Sequence, residues 1–452
     1  MININKVFAE TKLKLESNTM EEKLFPFSKT NKNVVVFMLD RAISTFFPYI
    51  LKEKPELQEQ FRGFTYYPNT ISFGGTTNVG TPSLFGGYEY TPEELNKRNT
   101  ELLKDKQNEA LSVLPVLFDR NNFETVVCDP PYAGYTWIPD LSIYDDYPDI
   151  KSYITIGSFG SSVDDVLGVL NRNLFSYSIS KIVPSIFFNI VYNNGTYLSA
   201  KDVINSDKKI DISVLMDNYR VLEKLPELTS TTDEGTGLFL MIQNSTTHET
   251  TILQEPDYIP LEVVDNSDYA ENDEFKESIY GEELRLRTLK QMKHYHVNMT
   301  SMIQLGKWFD YLKKNDIWDN TRIIIVSDHG FDIHLIDKLS IYDDDMLSYN
   351  ALLLVKDFDS LELSVDNSFM TLADVPYLAT KDVISDPENV FTGNKITEKD
   401  KKNVVFNIFN TQKWNASMNN GNTFSEDSDT DIWYSVHDDC LNPDNWERID
   451  KK

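Results

Sequence analysis

The sequence predicts an α/β protein whose central strands are buried on both faces. Two apolar runs rich in β-branched residues carry this prediction, one in Asn33–Leu39 and the other the four residues Ile323–Val326 within the stretch Asn320–Gly330. Such runs are typical of fully buried strands. Each run ends on polar residues, Asp40 after the first and Ser327-Asp328-His329-Gly330 after the second. Ligands bind at the carboxyl ends of strands in open α/β sheets, so both ends are candidate site segments.

Composition limits the classes of function. The 452 residues and 52.2 kDa fit one large α/β domain, and 40% hydrophobic residues suffice for a sizeable core. A formal net charge of −28 argues against nucleic-acid binding and against docking on anionic lipid. No apolar run approaches the roughly 20 residues of a membrane span. The two cysteines, Cys128 and Cys440, are expected to be unpaired core residues, although one disulfide is an alternative.

The first third of the chain alternates strand and helix patterns. Phe64–Asn69 has the aromatic, β-rich composition of a strand. Thr91 followed by Pro92 and two glutamates indicates a helix start. A second helical pattern contains Pro115, which weakens the prediction of a helix, and it is followed by the strand Phe123–Val127. This order is typical of α/β alternation.

The pattern is poor over residues 132–236 and becomes clear again afterwards. A long helix is expected over 281–315, and its methionines and aromatics indicate core packing. Its two histidines, His294 and His296, cannot share one helix face, which argues against a paired metal site there. The other predicted elements are strands at Gly237–Ile242, Asn350–Val355 and Val404–Phe409 and a helix start at Thr371–Pro376.

A segment rich in glycine and hydroxyl side chains, Ser72–Gly87, follows the first aromatic strand. Glycine lets backbone amides approach a ligand, and hydroxyls bind metals or act as nucleophiles. The alternative is a plain flexible loop.

Asp328 and His329 offer a hard oxygen and an imidazole nitrogen side by side, which suits a divalent metal. The alternative for Asp328 is a helix cap in a strand-ending turn, and Asp40 is open to the same interpretation. His248 follows the strand Gly237–Ile242 by a few residues, so it either faces the same edge of the sheet or is an exposed loop residue.

Taken in order over about residues 31–380, these segments resemble the alkaline phosphatase and sulfatase superfamily. The closest resemblance is to the branch of lipoteichoic acid synthases, phosphoethanolamine transferases and other phosphoglycerol-transferase-like proteins. It implies a three-layer α/β/α sandwich with a mostly parallel central sheet. We expect a leader or linker at 1–30, the catalytic domain at 31–410 and a C-terminal extension at 411–452.

The resemblance also assigns residues. Asp40, Asp328 and His329 match the metal ligands of the family. Thr77 stands five residues before Pro82 of a Pro-x-x-Phe element, where the transferases have their nucleophile, which is itself a metal ligand. Thr76 and Thr81 remain alternative nucleophiles. His248 matches the histidine that contacts the phosphoryl group, and the expected substrate-binding residues are Gly75, Thr76, Asn78 and His334.

The implied activity is a metal-dependent phosphotransfer through a phospho-threonine. One divalent ion, zinc or manganese, is expected, because only His334 hints at a second site. The Cys/Ser-x-Pro-x-Arg motif of sulfatases is absent, so sulfate-ester hydrolysis by that route is not expected. The alternatives are a phosphodiesterase that releases its product to water and a pseudoenzyme that binds lipid or a partner protein.

The expected donor is a phospholipid head group or a phosphorylated glycan, and the expected acceptor is a glycan. The resemblance implies the extracytoplasmic face of the cell envelope as the location. The chain would be either a soluble member or the catalytic part of a membrane-anchored protein.

Overall fold

The computed structural model describes residues 23–159, 212–233, 235–267, 286–411, 421–424 and 431–449, with the short pairs 278–279 and 282–283. Within these residues the α-helices are α1 (Phe47–Glu53), α2 (Glu56–Gln60), α3 (Thr77–Gly86), α4 (Pro92–Lys97), α5 (Leu103–Arg120), α6 (Ser213–Leu228), α7 (Leu289–Lys314) and α8 (Val375–Thr380). Most of the predicted leader and residues 160–211 of the poorly patterned region lie outside the described residues.

The strands of the described residues, in chain order, are β1 (Phe25–Ser28), β2 (Asn33–Leu39), β3 (Phe64–Tyr66), β4 (Thr70–Ile71), β5 (Glu124–Cys128), β6 (Lys151–Tyr153), β7 (Thr229–Thr232), β8 (Leu238–Asn244), β9 (Ser278–Ile279), β10 (Glu282–Glu283), β11 (Thr321–Val326), β12 (Ser340–Ile341), β13 (Asp344–Asp345), β14 (Leu353–Lys356), β15 (Ser364–Val365), β16 (Met370–Thr371), β17 (Phe406–Thr411), β18 (Asp431–Val436) and β19 (Trp446–Ile449). Eight of them form the central sheet in the order β15-β3-β14-β11-β2-β8-β5-β6. Its pairs are parallel except where β14 meets β11 and β3. The predicted mostly parallel sheet is therefore confirmed.

Alternate residues of the central strands enter two separate cores, as the two-residue period of a strand requires. Val35 and Phe37 of β2 pack with α1, α6 and α7 on one face of the sheet. Val34 and Val36 pack with α3, α5 and α8 on the other face. The result is the three-layer α/β/α sandwich that the resemblance implied.

Two helices differ in detail from the sequence pattern. Helix α5 runs through Pro115. Proline has no N–H to donate to the carbonyl oxygen four residues earlier, that of Leu111. Tyr144 Oη donates to this oxygen instead, at 3.2 Å. Helix α7 begins at Leu289 rather than 281 because Thr288 and Gln291 form a capping box, and residues 282–283 belong to β10.

The C-terminal residues build a separate antiparallel sheet, β17-β18-β19. The predicted edge strand Val404–Phe409 is found at Phe406–Thr411 in this sheet, so the predicted boundary at 410/411 falls inside a strand. Phe409 N donates to the Phe73 carbonyl oxygen at 2.9 Å, which joins the sheet to the glycine-rich segment. Cys128 and Cys440 are buried and free, as expected. In the described part of the chain, no helix is long and apolar enough to cross a membrane.

Candidate metal centre

Strand register places the two predicted acids next to each other. Strands β2 and β11 are parallel neighbours, with Met38 opposite Val326. Two residues further along each strand are Asp40 and Asp328, so both carboxylates emerge at the same carboxyl edge of the sheet. On the other side of β2 the register continues to Ser245, whose Oγ donates to Asp40 Oδ2 at 3.3 Å.

Asp40, Asp328 and His329 form a compact buried cluster. Their potential ligand atoms lie within 4.8 Å of one another, and none of the three side chains is more than 7% exposed. Asp328 Oδ1 accepts a hydrogen bond from the Arg41 backbone N–H at 2.9 Å. The other oxygens, Asp40 Oδ1 and Asp328 Oδ2, are buried and have no hydrogen-bond partner within the described residues. An unpaired buried carboxylate oxygen is costly, and a bound cation would remove this cost.

The protonation states fit a divalent ion as well. Burial and the neighbouring charge of Asp328 raise the pKa of Asp40 to about 7, as expected for two carboxylates without a cation. Burial lowers the pKa of His329, so the imidazole is neutral. Its Nδ1–H donates to the Gly330 carbonyl oxygen at 2.6 Å, which leaves the Nε2 lone pair, 3.4 Å from Asp328 Oδ2, available to a metal.

The glycine- and hydroxyl-rich segment packs directly against this cluster. Ser72 Oγ donates to the Asp328 carbonyl oxygen at 2.6 Å. Gly80 lies so close that an added Cβ would stand 2.2 Å from the same oxygen. Thr77 is the first residue of α3 and is 8% exposed, so the amino end of this helix, with its partial positive charge, lies at the carboxyl edge of β11.

The hydroxyl groups of the three threonines of this segment differ in their hydrogen bonds. Thr81 Oγ1 donates to the Thr77 carbonyl oxygen at 2.7 Å and accepts from Gln107 Nε2 at 2.8 Å. Thr76 Oγ1 donates to Asn78 Oδ1 at 2.9 Å. The Thr77 hydroxyl has no such bond among the described residues. It is therefore the hydroxyl of the three that is free to react.

His248 lies in the loop after β8, and this loop is fastened to the Asp40 strand end. Thr247 Oγ1 donates to the Asp40 carbonyl oxygen. Burial opposes protonation of His248, but its hydrogen bond to Glu249 and the charge of Asp40 outweigh burial and raise its pKa above 6.5. The side chain is 26% exposed, so it combines access to solvent with proximity to the cluster.

The predicted substrate-binding residues are placed in two different regions. Gly75 and Thr76 are half-buried just before α3. Asn78 is buried in its first turn, with Nδ2 unpaired within the described residues. His334 lies instead in a second group with Asp332 and Asp345. Its side chain is 58% exposed, and Asp345 Oδ2 already accepts the His334 backbone N–H, so this group has the features of a turn rather than of a closed site.

Sequence reasoning missed two residues beside the cluster, Arg41 and Tyr132. Arg41 follows Asp40 in a left-handed conformation with φ 61°. Burial raises the pKa of Tyr132, and the charges of Asp40 and Asp328 raise it further, which places this side chain near both acids. The signal for Arg41 was its position directly after a strand-ending acid; nothing in the sequence marks Tyr132.

No protein-family model matches the chain, and no curated protein matches it. Solved structures are similar to it over 81% to 98% of its length. Ps i-CgsB is 11% identical over 93% of this chain and 86% of its own, with a TM-score of 0.50. A Vibrio parahaemolyticus protein of the alkaline phosphatase superfamily is 11% identical over 98% of this chain and 91% of its own, with a TM-score of 0.44. The lipoteichoic acid synthase LtaP from Listeria monocytogenes is 13% identical over 81% of this chain and 76% of its own, with a TM-score of 0.37. At these identities the similarity concerns the fold alone.

Proposed function

From the alkaline phosphatase superfamily fold of this chain and its buried acid–histidine cluster, we propose that the protein is a metal-dependent phosphotransferase. It would move a phospho-head group of the phosphoglycerol or phosphoethanolamine type to a glycan or lipid acceptor through a phospho-Thr77 intermediate. The observation that carries the proposal is the pair of unpaired buried oxygens on Asp40 and Asp328 beside the neutral imidazole of His329.

Asp40, Asp328 and His329 would hold one divalent ion, zinc or manganese. When bound, such an ion lowers the pKa of an adjacent hydroxyl and offsets charge on phosphoryl oxygens. Two carboxylates and one imidazole do not distinguish zinc from manganese.

The residues of the chain divide the chemistry between them. Thr77 Oγ1, after losing its proton to solvent, attacks phosphorus, and a new P–O bond forms as the bond to the leaving alcohol breaks. His248, which lies beside the cluster with a partly exposed side chain, donates a proton to the leaving oxygen. In the second step an acceptor hydroxyl gives its proton to His248, which lost one in the first step, and attacks phosphorus. The P–O bond to Thr77 then breaks and the Thr77 oxygen is released as the alkoxide. Attack by water in place of the acceptor gives the alternative, a phosphodiesterase.

The donor would be a phospholipid head group or a phosphorylated glycan, and the reaction would take place at the extracytoplasmic face of the envelope. These assignments rest on the family resemblance. A screen of acceptor alcohols against water, scored by the product formed, separates transferase from hydrolase.

The direct test is Thr77→Ala in the full chain, with bis(p-nitrophenyl) phosphate as the substrate. We expect turnover to fall at least about 1000-fold, because the attacking oxygen is gone, while metal content measured by elemental analysis stays equal to wild type. Thr81→Val is the matched control, since it removes a hydroxyl of the same helix that is used for hydrogen bonds. It should lower the Tm but retain turnover within a few-fold.

Turnover by Thr77→Ala at the wild-type rate would reject Thr77 as the nucleophile. Protein that purifies without metal and binds none on titration would instead favour the pseudoenzyme.

A further inference from the structure

Two buried nitrogen atoms near the metal centre lack a hydrogen-bond partner. Arg41 Nε and His294 Nδ1 are both buried and both unpaired within the described residues. His294 lies on α7 and is only 2% exposed. Buried donors without acceptors are rare in folded proteins, so this pair requires an explanation.

The two side chains converge on one aromatic ring beside the cluster. The Arg41 guanidinium carbon lies 4.3 Å from the centroid of the Phe331 ring, and the His294 ring centroid lies 4.7 Å from it. The positive charge of Arg41 opposes protonation of His248, His294 and His329, although the pKa of His248 is still raised by Glu249 and Asp40. The pair therefore belongs to the same rim as the candidate metal ligands.

The backbone around this pair is held in place by specific bonds. Arg41 adopts φ 61°, a left-handed conformation that is unfavourable for a non-glycine residue, and its backbone N–H donates to Asp328 Oδ1. Asn298 connects the two segments, because its Oδ1 accepts from Ile43 N at 2.9 Å and its Nδ2 donates to the His294 carbonyl oxygen at 2.8 Å. Asn298 thus ties α7, which also carries His294, to the chain two residues after Arg41.

The available atoms suit an oxyanion. A guanidinium is a planar donor matched to phosphate oxygens. Burial, with Arg41 and Lys290 nearby, lowers the pKa of His294 to about 3, so this imidazole stays neutral. In the tautomer with the proton on Nδ1, it offers one N–H to the ligand without adding charge.

The charge balance points to one negative charge on the ligand. A divalent ion would offset the carboxylates of Asp40 and Asp328. His248 has its own counter-charge in Glu249 at 3.0 Å, and Lys290 lies 3.8 Å from Asp332. Arg41 makes no ion pair among the described residues, so one positive charge remains uncompensated.

We propose that Arg41 and His294 form an anion subsite that binds the non-bridging oxygens of a phosphodiester and selects its single negative charge over the two of a monoester. The identity of the ester rests on the proposed function. The anion subsite itself rests on the two unpaired nitrogens.

The test compares Arg41→Met with Lys290→Met. Both remove a cation that lies over the Phe331 ring, Lys290 Nζ being 4.7 Å from its centroid, but only Arg41 has the unpaired buried nitrogen. Arg41→Met should raise the KM for bis(p-nitrophenyl) phosphate about 10- to 100-fold, the range for losing a charged hydrogen bond. It should also reduce the preference over p-nitrophenyl phosphate, with metal content unchanged. Lys290→Met should stay within twofold of wild type.

His294→Phe keeps the ring packing and removes the nitrogen, so it should raise the same KM by about fivefold, as expected for one neutral hydrogen bond. Arg41→Lys should recover part of the loss, because it restores charge without the guanidinium geometry.

Calorimetric titration with dimethyl phosphate and with inorganic phosphate, on metal-loaded and chelated protein, separates the two proposals. Wild-type binding of dimethyl phosphate that Arg41→Met weakens at least tenfold supports the subsite, even if the protein turns over no ester and the proposed function fails. Equal binding by wild type and Arg41→Met, or no binding by wild type, overturns the subsite. Equal weakening by Lys290→Met also overturns it, because general electrostatic attraction would then account for the effect.

Discussion

Replacing Gly80 with alanine should separate α3 from the metal centre. A Cβ at position 80 would stand 2.2 Å from the Asp328 carbonyl oxygen and 2.9 Å from Ser72 Oγ. Such contacts are not found below 3.0 Å, so the helix and the end of β11 must move apart by about 0.8 Å or more. Misplacing a reacting group by about 1 Å can cost about 100-fold in rate. Because Thr77 moves with α3, we expect kcat/KM for bis(p-nitrophenyl) phosphate to fall about 100-fold.

The matched control is Gly237→Ala, at the amino end of β8 and hence at the opposite edge of the sheet. Its Cβ would stand 1.9 Å from the Lys32 carbonyl oxygen, so the clash with backbone is at least as severe. We expect this variant to lower the Tm but to leave kcat/KM per folded molecule within a few-fold of wild type. Elemental analysis should show full metal content in Gly80→Ala, because the three ligands are not on α3. A folded Gly80→Ala protein with wild-type kcat/KM would refute the reasoning that this contact positions Thr77.

Two further predictions concern stability away from the site. Arg322 is buried, and its Nη2 donates to Asp357 Oδ1 at 2.7 Å while Nη1 donates to two carbonyl oxygens near the end of α8. Arg322→Met should therefore lower the free energy of unfolding in urea by about 3 kcal/mol. Because Arg322 lies six residues, or about 20 Å, before Asp328 on an extended strand, kcat/KM should not change, and a large loss of turnover would contradict this. Burial raises the pKa of Asp129 to about 6 despite hydrogen bonds from Thr155. The folded protein therefore binds the carboxyl proton of Asp129 more tightly than the unfolded chain, in which the pKa is near 3.8. Stability should fall as pH rises from about 4 to about 6, and Asp129→Asn should flatten that slope in urea titrations; an unchanged slope would contradict the pKa assignment.

The central strands and their terminal acids could be predicted because a strand buried on both faces has an unmistakable composition. Asn33–Leu39 was found with the predicted bounds, and the second buried strand runs from Thr321 to Val326. Helix α7 was predicted eight residues too long at its start, since a capping box outweighs an apolar pattern. His334 lies with Asp332 and Asp345 in a second group of possible metal ligands, so its role in binding substrate stays a prediction.

The sequence by itself determined which residues could hold a metal and that they lie at strand ends, because apolar runs mark buried strands and polar residues mark where they stop. It could not decide how those ends are aligned. The parallel register of β2 and β11 sets Asp40 beside Asp328, and a shift of one residue would send every side chain of the strand to the opposite face. The left-handed turn at Arg41 and the rotation of α7 that directs His294 to Phe331 were likewise fixed by tertiary contacts, above all by Asn298. Local sequence carries no information about partners that stand more than 250 residues away along the chain.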